Sequence, residues 1–388
     1  MIMLTLISLA AAVIIIVLAV LPLHCKWWWK AAISAAALAV ALYFRIMRLL
    51  GGPLPFAPDL PGWFILLASW LYMTLMAYFI GLVALTALRV LMRWSLPFWR
   101  DLAKEKRRSY CNRAHLALLV AVALLCTAGE YNALQEPVVK YVTLQLPVRK
   151  PVSIALLSDL HADALKDSRF MRRIVELTNE QQPDIVAITG DFTDGSVERN
   201  RAAFTPLREL QAPLGVYGAP GNHEYYSGYD EWNSYLSSLG IRMLNNEREI
   251  LSEQGIVLAG ITDPAAKVFD KEQPNIRKAL EGIPEDTRAI ILLAHQPKLA
   301  EQAEPMGVSL QLSGHTHGGL TPGLAEITAA YNSGFVSGLY RTGRMWLYVS
   351  PGTSLWSGLP LRLGVPSEIT IIRIIGLTPS EQQTTNND

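Results

Sequence analysis

The sequence predicts an α/β domain preceded by an α-helical transmembrane domain of about four spans. Three observations carry that prediction. Residues 1–130 hold four acids (Asp59, Asp101, Glu105, Glu130) against twelve Lys and Arg, with long apolar runs between them. From about residue 141 the pattern changes to short apolar runs rich in β-branched residues, some separated by helical patterns. Five of the seven histidines then fall in five short blocks that follow such runs.

The 388-residue chain is 51% hydrophobic with a mean hydropathy of +0.24, high for a soluble protein, and its net charge of +1 conceals the asymmetry between the two parts. Nothing in that charge argues for nucleic acid as a partner. Residues 3–23, 27–44, 63–90 and 116–128 approach the roughly 20 apolar residues needed to cross a bilayer. The first lacks a basic start and is followed by further spans, so it reads as a retained helix rather than a secretion signal. Trp27, Trp28, Trp29, Trp63, Trp70, Trp94 and Trp99 sit mainly near span ends, as interfacial aromatics do. The most basic segment, from Arg89 through Arg93, Arg100, Lys104, Lys106, Arg107 and Arg108 to Arg113, lies between the third and fourth spans. The positive-inside tendency puts it in the cytoplasm and the following domain on the extracytoplasmic face of the inner (cell) membrane. Lys26 and Lys30 agree with that topology; Arg45 and Arg48 oppose it. The three cysteines, Cys25, Cys111 and Cys126, all precede residue 130 without zinc-ribbon spacing, and read as buried or juxtamembrane thiols.

The domain organisation read from these patterns is a transmembrane helical domain at 1–130, a linker at 131–137, a folded domain at 138–376 and a disordered tail at 377–388. Apolar runs at 154–157, 185–189, 216–219, 256–259, 290–293, 310–312, 346–349 and 369–372 read as buried strands, with helices near 169–181 and 231–239.

The blocks follow in order: Asp159-Leu160-His161, Gly190-Asp191, Gly221-Asn222-His223-Glu224, His295 and Gly314-His315-Thr316-His317. Strand ends of α/β sheets deliver polar residues into a cleft, and imidazole with carboxylate suits divalent ions such as Mn, Fe and Zn. Each block alone is a weak signal; five in order, each on a strand-to-loop junction, point to a metal site. Asp163 and Asp194 stand outside the blocks and read as turn residues.

This ordered set resembles the calcineurin-like metallophosphoesterase superfamily over roughly residues 138–376, with every motif intact. The resemblance implies a four-layer β-sandwich flanked by helices, with two divalent metal ions in its cleft. Carried over residue by residue, Asp159, His161 and His317 hold one metal, Asp191 bridges, and Asn222, His295 and His315 hold the other. His223 is then not a ligand but the acid that protonates the leaving oxygen, or a group that stabilises phosphate charge. Glu224 is not assigned as a ligand and reads as a partner that orients His223. A hydroxide generated between the ions would attack phosphorus in line.

Gly338-Leu339-Tyr340-Arg341, Leu347 to Gly352 and Gly358-Leu359-Pro360-Leu361-Arg362 resemble more narrowly a membrane-associated bacterial branch that includes UDP-diacylglucosamine pyrophosphohydrolases of lipid A synthesis. The chain departs from that pattern at Leu320 and at Pro351-Gly352-Thr353-Ser354, on the cleft rim. The expected substrate is a phosphodiester or pyrophosphate, lipid-linked if the tether reflects it, with Arg362 and Arg341 as candidate phosphate binders. The glycine-studded segment 320–338 reads as a lid, a lipid-facing loop or ordinary packing. Two alternatives are a cytoplasmic-facing UDP-diacylglucosamine pyrophosphohydrolase and a non-catalytic membrane sensor, which would be expected to have lost His223 or a ligand.

Overall fold

The computed structural model describes residues 2–376 except 53, 55–57, 164 and 357; the tail expected to be disordered at 377–388 lies outside the described residues. The chain divides into two compact units, Met1–Asn132 with Gly358–Leu361, and Ala133–Ser357 with Arg362–Asp388.

The first unit is helical. Ile2–Val20, Gly62–Ser95 and Glu105–Ala133 are each long and apolar enough to cross a membrane, and Trp27–Ala41 with Tyr43–Gly51 forms a pair bent by 65° that makes a fourth if it is one span. The last helix runs on to Ala133, so Tyr131, Asn132 and Ala133, expected in a linker, are helical. Many large apolar side chains on these helices are exposed, among them Leu6, Val17, Ile80 and Leu124, as lipid-facing residues are. Inside, Ile15, Met73, Tyr78, Leu82, Val122 and Cys126 form one cluster, and Tyr43, Phe44, Met47 and Tyr72 another. Residues Gly358–Leu361 group with the helices: the Tyr43 hydroxyl donates to the Gly358 carbonyl at 3.1 Å.

The second unit is a two-sheet sandwich. Its strands are β1 (Val138–Gln145), β2 (Val152–Leu157), β3 (Ile185–Thr189), β4 (Val216–Ala219), β5 (Arg242–Met243), β6 (Glu247–Leu251), β7 (Ile256–Gly260), β8 (Ala289–Leu293), β9 (Leu310–Ser313), β10 (Gly338–Thr342), β11 (Met345–Val349) and β12 (Glu368–Ile375). One sheet has the order β1-β12-β2-β3-β4-β5, the other β10-β11-β9-β8-β7-β6. The eight predicted runs all form strands; β1, β5, β6 and β10 add to them.

Alternation along each strand builds four layers. Ile154 and Leu156 of β2 face Leu258, Ile291, Leu293, Leu310 and Leu312 of the other sheet in the central core. Their neighbours Ala155 and Leu157 point outward, under Met171, Ile174, Trp232 and Leu236 of the covering helices. On the far side Val257, Ala259, Ile290 and Leu292 pack against Ile276, Ala300 and Ala303. Strands covered on both faces have no polar side to show, which is why they read as unbroken apolar runs.

Candidate metal centre

The central strands of both sheets carry the blocks. Parallel pairing of β2 with β3 and β3 with β4 aligns their C-terminal ends, and parallel β8 and β9 do the same opposite. The loops after β2 and β3 stay paired past the strands: Asp159 N–H donates to the Gly190 carbonyl (3.0 Å) and His161 N–H to that of Asp191 (3.1 Å). The sheets approach closely at Gly314, where a Cβ would overlap Ser158 Oγ and Asp159 Oδ2, so only glycine fits. Asp159, His161, Asp191, His315 and His317 all have positive φ, between 43° and 73°. Such backbone costs of order 1–3 kcal/mol per residue and persists where surroundings over-determine it, typically at functional sites.

Two groups of ligand-type atoms result. His161 Nε2 lies 3.2 Å from His317 Nε2 and 3.9 Å from Asp159 Oδ1, which is 3.5 Å from His317 Nε2. In the second group His295 Nε2 lies 3.3 Å from His315 Nδ1 and 3.2 Å from Asp191 Oδ2. In each group the ligand atoms all lie within 4.8 Å of one another, close enough to share one divalent ion. Asp191 Oδ2 is also 3.8 Å from His161 Nε2 and so stands between the groups. Asn222 Oδ1, in the same loop cluster, is buried without a hydrogen-bond partner, as a neutral oxygen ligand would be.

The electrostatics point the same way. Burial, then the charge on His295, lowers His315 to about 3; burial and His161 lower His317 well below its ordinary value. Both therefore present the neutral imidazole a cation requires. Burial alone would also lower His295, but Asp191 and then Asp159 raise it well above its usual range. A buried cluster that holds protons this tightly is asking for positive charge. His295 Nδ1, 2.7 Å from the Thr189 carbonyl, donates to it and leaves Nε2 facing Asp191.

Asp194, expected as a turn residue, is buried between two histidines. Its Oδ1 accepts from His223 Nδ1, and its Oδ2 lies 3.1 Å from His161 Nδ1. Burial would raise this carboxyl, yet His161 and His223 hold it at about 2. His161, Asp194 and His223 are close enough to hold a metal, but Asp194 meets both rings at Nδ1, which makes the trio an orienting device and leaves each Nε2 free to act elsewhere. His223 Nε2 lies 3.8 Å from Asp191 Oδ2, on the less buried side of the cluster. Against the penalty of burial, Asp191 and Asp194 push His223 up to about 9, which favours a proton-donating imidazolium. The only sequence signal for Asp194 is its place three residues beyond Asp191 on the same loop.

Two expectations are corrected. Glu224 does not orient His223: its carboxylate accepts the N–H groups of Asp191 (3.0 Å), Phe192 (2.8 Å) and Gly221 (2.7 Å), clamping the two ligand loops together. Arg362 is not a cleft group. It is 1% exposed and donates to the carbonyls of Pro351, Ser354, Val365 and Pro366, because a buried guanidinium must spend its donors on nearby acceptors. Arg341 is exposed, stacks on Trp346 at 4.6 Å and donates to the Gly343 carbonyl of its own hairpin. In segment 320–338, Leu324–Tyr331 forms a helix that leaves Leu324, Ile327 and Tyr331 exposed.

The sequence matches the family model "Calcineurin-like phosphoesterase" over residues 152–319. It is 39% identical over 287 residues to a "Transmembrane protein with metallophosphoesterase domain" of Danio rerio, covering 70% of this chain and 64% of that one. A protein of the same description from Bos taurus is 35% identical over 89% of this chain and 80% of its own length. An uncharacterised metallophosphoesterase of Helicobacter pylori is 36% identical over 71% of this chain and 74% of its own. With its sandwich, its two ligand groups and its apolar helices, the chain belongs to the calcineurin-like metallophosphoesterases and is a membrane-associated, metal-dependent phosphoric ester hydrolase.

Proposed function

We propose that the protein hydrolyses a phosphodiester or pyrophosphate of an amphiphilic, lipid-linked substrate at a pair of divalent cations. The observation that carries the metal pair is the place of Asp191: one carboxylate oxygen lies within 3.8 Å of His161 Nε2 and 3.2 Å of His295 Nε2. In this reading Asp159, His161 and His317 hold one ion, Asn222, His295 and His315 the other, and Asp191 bridges. Bound there, such ions acidify water and neutralise charge developing on phosphoryl oxygens.

The chain's own part is positioning and proton transfer. Asp191 Oδ1 accepts the His223 N–H at 2.9 Å, which fixes the start of the loop helix that carries the imidazole. Asp194 holds Nδ1, so the proton available to a leaving oxygen is the one on Nε2. Tyr226 stands beside this ring, centroids 5.4 Å apart, and Phe269 beyond it at 5.9 Å from Tyr226; both are exposed, an apolar wall suited to a greasy or aromatic leaving group.

The lipid-linked class is supported by the apolar helices and this wall. The extracytoplasmic side is supported by the arginines between the third and fourth spans. The test pairs a C-terminal topology reporter with hydrolysis, by the full-length protein in mixed micelles, of a soluble aryl phosphodiester and a lipid pyrophosphate. The proposal expects an extracytoplasmic C-terminus and kcat/KM higher for the lipid. A cytoplasmic C-terminus would overturn the topology and favour a nucleotide-linked lipid, and preference for the soluble diester would overturn the lipid substrate.

A further inference from the structure

Within the helical unit lies a cavity of about 950 Å³, at the upper end of the range of ligand pockets (roughly 300–1,000 Å³). Ile15, Val40 and Leu75 give it apolar walls, and Arg89, Arg93, Arg107 and Arg108 line the same space. Among the described lining residues there is no carboxylate. We propose that this cavity binds one membrane lipid with an anionic phosphate headgroup, its acyl chains between the helices and its headgroup on the arginines.

Four positive charges share an otherwise largely apolar lining. Arg89 and Arg107 are partly buried in the lining that Ile15 and Leu75 also help to form, and Arg93 and Arg108 are exposed at it. Arginines on a low-dielectric surface repel one another more strongly than in water, and a phosphate answers them with the planar, forked geometry that guanidinium prefers. Basic pockets between transmembrane helices recognise anionic headgroups in this way. Two of the arms are already fixed: Arg89 Nη2 donates to the Cys111 carbonyl at 3.2 Å and Arg108 Nη2 to that of Pro22 at 2.5 Å. A guanidinium carries five N–H donors, so each of those bonds orients the fork without exhausting it. A zwitterionic headgroup would bring its own cation and leave the excess positive charge standing. The site lies wholly in the helical unit and does not depend on the substrate reading above.

The test uses full-length protein, delipidated in detergent and titrated with phosphatidylglycerol or phosphatidylcholine, with native mass spectrometry counting lipids per chain. The wild type is expected to bind one phosphatidylglycerol at least about tenfold more tightly than phosphatidylcholine, a difference of about 1.4 kcal/mol. Arg89→Gln with Arg108→Gln should abolish that preference, and Arg45→Gln with Arg48→Gln, outside the cavity, should keep it. Ala37→Trp keeps every arginine but fills the apolar part, and should release the lipid even if the arginine variant fails to fold. Equal binding of the two lipids by the wild type, or undiminished phosphatidylglycerol binding by Ala37→Trp or by the folded double arginine variant, would overturn the proposal.

Discussion

The carboxylate of Asp194 binds Nδ1 of His223, and through its other oxygen it faces Nδ1 of His161 at 3.1 Å. One buried acid thereby orients the His223 ring and lies against His161, a candidate metal ligand. Asp194→Asn should lower kcat by about 10²–10⁴, the range of general-acid contributions, and weaken metal affinity by about 10–100-fold, as loss of a ligand's orienting partner does. Steady-state kinetics with metal analysis on the same samples checks this. A kcat within a few-fold of wild type would return Asp194 to the role of a turn residue.

Glu224 acts on the backbone instead. Removing a carboxylate that accepts from Asp191, Phe192 and Gly221 leaves buried N–H groups unpaired, at about 1–3 kcal/mol for each group. Glu224→Ala should lower the melting temperature of the sandwich and lose activity together with it. Lost activity at an unchanged melting temperature would contradict the clamp.

Arg362 and Arg341 should part company. Arg362→Met strips donors from four carbonyls around residues 351–366, a loss of several kcal/mol in total at about 1 kcal/mol per bond. Arg341→Ala, on an exposed hairpin, should stay within about 0.5 kcal/mol. Denaturant melts measure both. If Arg362→Met stayed as stable as wild type while KM rose, the arginine would be a substrate ligand after all.

Metal binding should grow tighter as pH rises. Burial disfavours the protonated form of His295, but Asp191 and Asp159 raise its pKa well above the usual value, so the metal-free protein carries a proton there at neutral pH. A cation must displace that proton, so apparent affinity increases with pH up to the raised pKa and protons are released on loading. His315, already neutral above about 3, adds nothing to this slope. Titration in weakly buffered solution reads the protons directly; loading without proton release would refute this reading.

The parts of the fold visible in the sequence are those where one residue type had no alternative. β2, β3, β8 and β9 are covered on both faces, so their apolar runs stand out. The four strands that composition does not reveal, β1, β5, β6 and β10, are the four sheet edges. There one face or flank meets solvent, and sequences such as Glu247-Arg248-Glu249 carry no apolar run. The ligand blocks were legible because histidine is rare in this chain and each block ends a strand. Asp194 and Glu224 were not, since a carboxylate that binds a ring nitrogen and one that binds backbone look alike in a sequence. Arg362 looks like a phosphate binder in the sequence for the same reason: its neighbours along the chain say nothing of the four carbonyls folded around it.

The decisive measurement is turnover of an aryl phosphodiester by the full-length protein, with and without chelation, beside His223→Ala and Asp191→Asn. The wild type should show hydrolysis that chelation abolishes and added divalent metal restores. His223→Ala should keep its metal and lose turnover, whereas Asp191→Asn should lose both. Full activity in His223→Ala, or no hydrolysis by folded, metal-loaded wild type, would contradict this mechanism.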